Sequence, residues 1–270
     1  MTNDRHVRAY LSNQEIKMAN EIIEQQTGEL ANISEETKAL LAKAAQQQAE
    51  EEQSSIPFLS LKGKKFSIGD EKIGTKMQVV ILADVFDNSY YDRPYDPDVQ
   101  TPPACFSIYK DIDNAFPHES SPTPISKPGC AECAFNKFES APNGKGKACR
   151  NGRRILVASI HNDKVNLADL AIANISPTAL KGFSRFVKAI TITKGLPLWA
   201  VASTLSFDED SDWPLLQASF DYMLSGPEID EIASRLGEFE ECVSVPYDTS
   251  GYEPPPAVDE TKAKKNSKMS

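Results

Sequence analysis

Four cysteines crowded into one short stretch constrain this chain more than any other feature. The stretch opens at Cys105, passes Pro117-His118-Glu119 and Cys130-Ala-Glu-Cys133, and closes with Gly144-Lys-Gly-Lys-Ala-Cys149 and Arg153-Arg154. Two thiolates in a C-x-x-C spacing can grip one ion, because a tight turn points both sulfurs the same way. Two further donors complete the tetrahedron that zinc prefers. A redox C-x-x-C opens a helix after a strand, whereas here Pro128-Gly129 precedes the pair and a long loop follows, which suits a metal knuckle. Cys130, Cys133 and Cys149 are therefore the expected zinc ligands. Cys105 is the fourth on the softness of its sulfur, with His118 as the alternative. Four protein ligands leave no coordination position for water, so such a Zn2+ is structural. Cys242, alone on a helical face near Phe239, reads as a small buried apolar residue.

The 270 residues, 40% of them hydrophobic, suffice for one globular domain with polar extensions. No apolar run approaches the ~18 residues of a membrane span, and the opening Met1-Thr-Asn-Asp-Arg-His lacks the apolar segment of a secretory signal. Without export, the cysteines are expected to be thiols or metal ligands in a reducing cytoplasm rather than disulfides.

The formal net charge of −10 argues at first against a polyanionic partner, but its distribution changes that. Residues 1–57 carry 5 cations and 10 anions, residues 58–194 carry 19 and 14, and residues 195–270 carry 5 and 15. Local potential decides what a polyanion meets, and only the centre is basic.

Residues 1–55, rich in Glu, Gln and Ala, are expected to form a polar helical or partly disordered N-terminal extension. Residues 56–246 are expected to form an α+β domain. Its signs are a hairpin around Gly69-Asp70, a β-branched strand from Met77, a strand from Arg154 and another from Leu167. A helix opens at Ser176-Pro177, a strand pair flanks the acidic turn Asp208–Asp212, and a last helix starts at Gly226-Pro227. Five or six strands with a helix before the last hairpin are compatible with an OB-like, partly closed β-barrel carrying the zinc-binding insertion over 104–154. From 247 to 270 Gly, Pro and charge dominate, and a disordered tail is expected.

No nucleophile elbow, phosphate-cradling glycine loop or H-E-x-x-H motif occurs, so the expectation is a non-enzyme. Binding is left. Lys137, Lys145, Lys147, Arg150, Arg153 and Arg154 cluster with Phe135 and Phe138, and the helix adds Lys181, Arg185 and Lys188. Cations neutralise phosphates and aromatic faces stack bases, a combination that serves single-stranded DNA without strong sequence choice. The competing reading keeps the two phenylalanines packed inward beneath a solvated basic loop. Two other functions stay open: an adaptor docking another protein such as an RNA or DNA polymerase, and a metal-dependent nuclease or recombination factor using Asp84, Asp87, Asp92, Asp96 and Asp98.

The run from Ser89-Tyr-Tyr through Pro102-Pro103-Ala-Cys105, Cys130-Ala-Glu-Cys133-Ala-Phe-Asn-Lys-Phe and Gly144-Lys-Gly-Lys-Ala-Cys149-Arg-Asn to Arg153-Arg154 resembles a family of tailed-bacteriophage proteins. Leu180-Lys-Gly-Phe-Ser-Arg-Phe-Val-Lys and Leu198-Trp-Ala-Val-Ala-Ser-Thr-Leu-Ser-Phe are also similar. Some members resemble the single-stranded DNA-binding proteins of phage replication modules. The resemblance implies a phage protein acting in the host cytoplasm in DNA replication or recombination. It also implies Cys105, Cys130, Cys133 and Cys149 as zinc ligands, and single-stranded DNA and phage replication proteins as partners. This chain departs from such binders by ending in Lys and Ser rather than in an acidic, aromatic-tipped peptide.

Overall fold

The computed structural model describes residues 56–94, 101–126 and 129–254, together with Ser34, Thr37, Leu40 and Lys43. The chain divides into two compact units, Met1–Ser55 and Ile56–Ser270. The expected N-terminal helical extension lies almost wholly outside the described residues. All the elements named below belong to the second unit.

Its centre is a seven-stranded sheet. The strands are β1 (Phe58–Leu59), β4 (Met77–Tyr90), β5 (Cys105–Tyr109), β6 (Cys149–His161), β7 (Lys164–Ile175), β8 (Val201–Phe207) and β9 (Leu216–Met223). A separate hairpin pairs β2 (Phe66–Ile68) with β3 (Glu71–Gly74). The order in the large sheet is β1-β7-β6-β4-β8-β9, and β5 also pairs with β4. Only β1 runs parallel to its neighbour. Three α-helices cover the sheet: α1 (Leu180–Lys188, continued by a π turn to Thr193), α2 (Gly226–Ser234) and α3 (Leu236–Val243).

The α+β class holds, and the expected barrel is corrected to an open sheet, since its end strands β1 and β9 do not meet. Burial explains the difference. The run Val79-Val80-Ile81-Leu82 is buried throughout, with alternate residues entering two cores. Val79 and Ile81 pack with Ile155, Phe183, Phe186 and the hairpin's Phe66. Val80 and Leu82 pack with Leu156, Ala158, Ile232 and Phe239. A sheet covered on both faces needs apolar residues at every position, and two helical layers supply the cover. We call the side under α1 the first face and the side under α2 and α3 the second.

A bulge in β4 decides which residues share a face with the cysteines. Ile81 lies opposite Val157 and Ala83 opposite Leu156, so Leu82 is the extra residue. Beyond it the side-chain parity reverses. Asp84, Phe86, Asn88 and Tyr90 therefore lie on the first face, and Val85 and Asp87 on the second.

The tail is corrected in part. Residues 247–254 are described and pack on the sheet rather than trailing from it. Tyr247 stacks on Phe58 and meets Phe106 edge-on. Its hydroxyl donates to Asp87, and that of Tyr252 donates to Asp92.

Candidate metal centre and nucleic-acid interface

Strand register assembles the first face in rows. Tyr90 lies opposite Cys105 on one side and Cys149 on the other; Asn88 lies between Ser107 and Asn151; Phe86 lies between Tyr109 and Arg153. Directly opposite residues in antiparallel strands share a face with Cα atoms ~5 Å apart, and successive rows on that face are ~7 Å apart. Two cysteines far apart in sequence thus flank one tyrosine.

The C-x-x-C pair reaches the same place from the loop above. Cys130 N–H donates to Ala115 O at 2.7 Å, Cys133 N–H to Cys130 O at 3.4 Å, and Asn136 N–H to Cys133 O at 3.0 Å. Asn136 Nδ2 donates to Cys130 O at 2.8 Å, closing the knuckle. Gly129 adopts φ +114°, which favours glycine, and a Cβ there would lie 3.4 Å from both Ala115 O and the Phe116 ring. All four cysteines line one cavity of about 20 Å3, with Phe135 and Pro117 among its walls.

Burial pushes the thiols of Cys105, Cys130 and Cys149 up, Cys149 to about 12 with the neighbouring cysteines adding to the effect. Donors oppose this. Ser107 and Asn88 near the Cys130 sulfur, and Ile125 N–H near that of Cys105, pull those thiols back down. Ser107 Oγ and Asn88 Nδ2 are buried and have no hydrogen-bond partner. A neutral thiol accepts hydrogen bonds weakly, so buried donors aimed at sulfur are better satisfied by thiolate. Among the described residues no group of three or more His, Cys, Asp or Glu side chains is arranged to hold a metal ion as it stands. Lining one cavity asks less than sharing an ion, which requires each sulfur ~2.3 Å from one point. Four cysteine sulfurs are donors of the kind and number that zinc takes.

His118, the alternative ligand, is turned elsewhere. Its ring stacks on Phe106, its Nδ1 accepts from Ser120 N–H at 3.1 Å, and it does not line the cysteine cavity.

The basic residues separate into distinct environments. Arg154 is corrected from surface residue to core: its side chain is 0% exposed. Its guanidinium lies 4.1 Å from the Tyr247 ring centre, donates to Val245 O at 2.6 Å, and is 3.5 Å from Asp87 Oδ1. Burial raises the Asp87 carboxyl above its ordinary value, and Arg154 counters that rise. Arg153 is half-buried, ion-paired with Asp84 and stacked over Phe86 and Phe183. Arg150 is exposed on the second face over Tyr91. Lys147 donates to Asn136 Oδ1 at 3.1 Å and Asn151 Oδ1 at 2.7 Å and sits over the Phe138 ring. Lys137, Lys145, Lys181, Arg185 and Lys188 are exposed, and none forms an ion pair among the described residues.

Of the two phenylalanines, Phe135 lies on Tyr90 at 4.5 Å and walls the cysteine cavity, so the inward reading applies to it. Phe138 is 78% exposed. The carboxylates of a nuclease centre are not brought together: Asp84 pairs with Arg153, Asp87 with Arg154, and Asp92 with Tyr252. Asp96 and Asp98 lie outside the described residues.

Sequence reasoning missed Phe86 and Tyr109. Their rings stack at 5.5 Å and 20° on the first face, with the Arg153 guanidinium 5.1 Å from Phe86. Phe86 remains 37% exposed. Each ends or interrupts an apolar strand, and nothing local indicates that the two strands are neighbours.

No family model, curated protein or solved structure matches this chain.

Proposed function

We propose that the protein binds single-stranded nucleic acid, DNA in the first instance, across the first face of the sheet, and that a structural Zn2+ held by Cys105, Cys130, Cys133 and Cys149 fixes the basic loop beside it. The row of Tyr109, Phe86 and Arg153 carries the reading. Stacked aromatics on a sheet face, with a guanidinium beside them, form a platform for a base of any sequence. Phe138 and Lys147 flank it from the cysteine loop, and α1 lies beyond it on the same face, presenting Lys181, Arg185 and Lys188. These cations supply the phosphate contacts, and the rings supply affinity that salt does not screen.

Zinc in this reading does no chemistry on the strand. It takes the place of the thiol protons and offsets the thiolate charge, ties the loop to two strands of the sheet, and holds Phe138 and Lys147 where a strand can reach them. The tailed-phage resemblance agrees with such a role in replication or recombination within a host cytoplasm. No helix is long and apolar enough to cross a membrane among the described residues.

Anisotropy of a labelled single strand, titrated at several salt concentrations, tests the proposal. Binding should weaken linearly in log–log form. Each of Lys137→Ala, Lys145→Ala and Lys188→Ala should lower the slope by about 0.7 where the lysine meets a phosphate. A protein that ignores single strands at low salt, or binds duplex equally well, sinks the reading.

A further inference from the structure

The sheet is split beside β4. On one side of that strand β8 pairs with Met77–Val80 and β5 with Phe86–Tyr90, so no strand lies against Ile81–Val85 there. A cleft of about 370 Å3 opens at this gap, within the range of small-ligand sites. Its apolar walls are Leu82, Val85 and Leu236, and two aromatic rings, Phe86 and Trp199, border it. Two ion pairs mark its rim: Asp84 with Arg153, and Lys110 with Glu240 at 2.6 Å.

We infer that this split takes a single nucleobase, drawn from a strand lying on the platform beside it. The inference rests on the single-strand reading and deepens it by assigning a second, enclosed base site. Three observations converge on a flat ring with a polar edge. Phe86 belongs both to the platform and to the cleft wall, so the two surfaces are continuous. Both contacts of Arg153 with Asp84, from its Nε and Nη2 edge, end on Oδ2, which leaves Asp84 Oδ1 as an acceptor at the rim. The edge of a base offers an N–H donor to such a carboxylate oxygen. The backbone of β4 along the gap adds groups that no strand pairs.

An extended peptide is the competing occupant, since free strand edges attract strands. The gap spans five residues, ~17 Å, and β5 and β8 occupy the neighbouring position at its two ends. A polypeptide running along β4 would meet both. A ring entering edge-first meets neither.

The chain has two tryptophans, and Trp213 lies in the turn between β8 and β9. Full-length protein carrying Trp213→Phe therefore reports from Trp199 alone. A single-stranded oligonucleotide should quench Trp199 emission in step with its anisotropy. An abasic strand of the same length, bound at low salt, should leave emission unchanged and bind at least about fivefold more weakly. Leu236→Phe, which fills the cleft, should abolish quenching while keeping the salt slope and the melting midpoint. Should that variant not fold, Ala83→Val narrows the cleft from the strand side. A bound strand with unaltered Trp199 emission overturns the base pocket and leaves the platform reading intact. Quenching by an unrelated extended peptide as strong as by the oligonucleotide also overturns it, in favour of a polypeptide. If neither strand binds at low salt, the platform reading and this inference fall together.

Discussion

Arg153 and Arg154 are adjacent, chemically identical and placed in opposite worlds. Pleating sends Arg153 to the first face beside Phe86 and Arg154 to the second, under Phe58 and Tyr247. A buried guanidinium is stable only while its partners stay. Removing one side of a buried pair leaves the other charged and unpaired, at a cost of about 3–5 kcal/mol. Arg154→Met should therefore lower unfolding stability by that order in denaturant titration, while the salt slope of strand binding stays at the wild-type value. A reduced slope in a stably folded variant would return Arg154 to the binding surface. No local pattern separates these arginines except the alternation of the strand, which requires knowing where the strand begins. The bulge at Leu82 shifts that alternation on β4, which hides the pairing of Phe86 with Arg153 from any local count.

At the scale of elements, the close approach of β6 and β7 rests on Gly152. A Cβ there would lie 2.9 Å from Ile175 O, a backbone atom that cannot swing aside. Gly152→Ala should cost about 1–3 kcal/mol, as overpacking does, and lower the melting midpoint. An unchanged midpoint would mean that the end of β7 gives way freely. The second element is the segment after α3. Tyr247 closes the second face by stacking on Phe58, covering Arg154 and donating to Asp87. Burial raises its phenol well above the ordinary value, with Asp87 adding to the rise, so the hydroxyl stays a donor at neutral pH. Tyr247→Ala should cost about 3–5 kcal/mol, the range for truncating a large buried aromatic side chain, whereas Tyr247→Phe should lose only the hydroxyl's share. Equal losses in the two would place the hydrogen bond rather than the ring at the centre of that packing. From sequence this region reads as a tail because Pro, Gly and charge surround its two anchoring tyrosines, Tyr247 and Tyr252.

For the molecule as a whole, the proposed zinc centre would link loop order to binding. Because Cys149 is held as a thiol up to about 12, zinc uptake near neutral pH should release close to one proton from it. Chelation should lower the melting midpoint and weaken strand binding together, and added Zn2+ should restore both. Cys133→Ser should reproduce the chelated state. Metal analysis showing no bound zinc, or binding that survives its removal, would detach the loop from the site.

The sequence by itself determined the α+β class, the hairpin, the long central strands and the crowding of cysteines and cations into one region. Each of these depends on neighbours within a few positions. Tertiary structure alone decided that the sheet is open, because that depends on which layers cover each face of the apolar strands. It decided equally that Cys105 and Cys149 flank Tyr90, that Arg154 is core, and that Phe86 meets Tyr109. Those outcomes follow from strand order and register, which are fixed by packing between residues far apart in the chain.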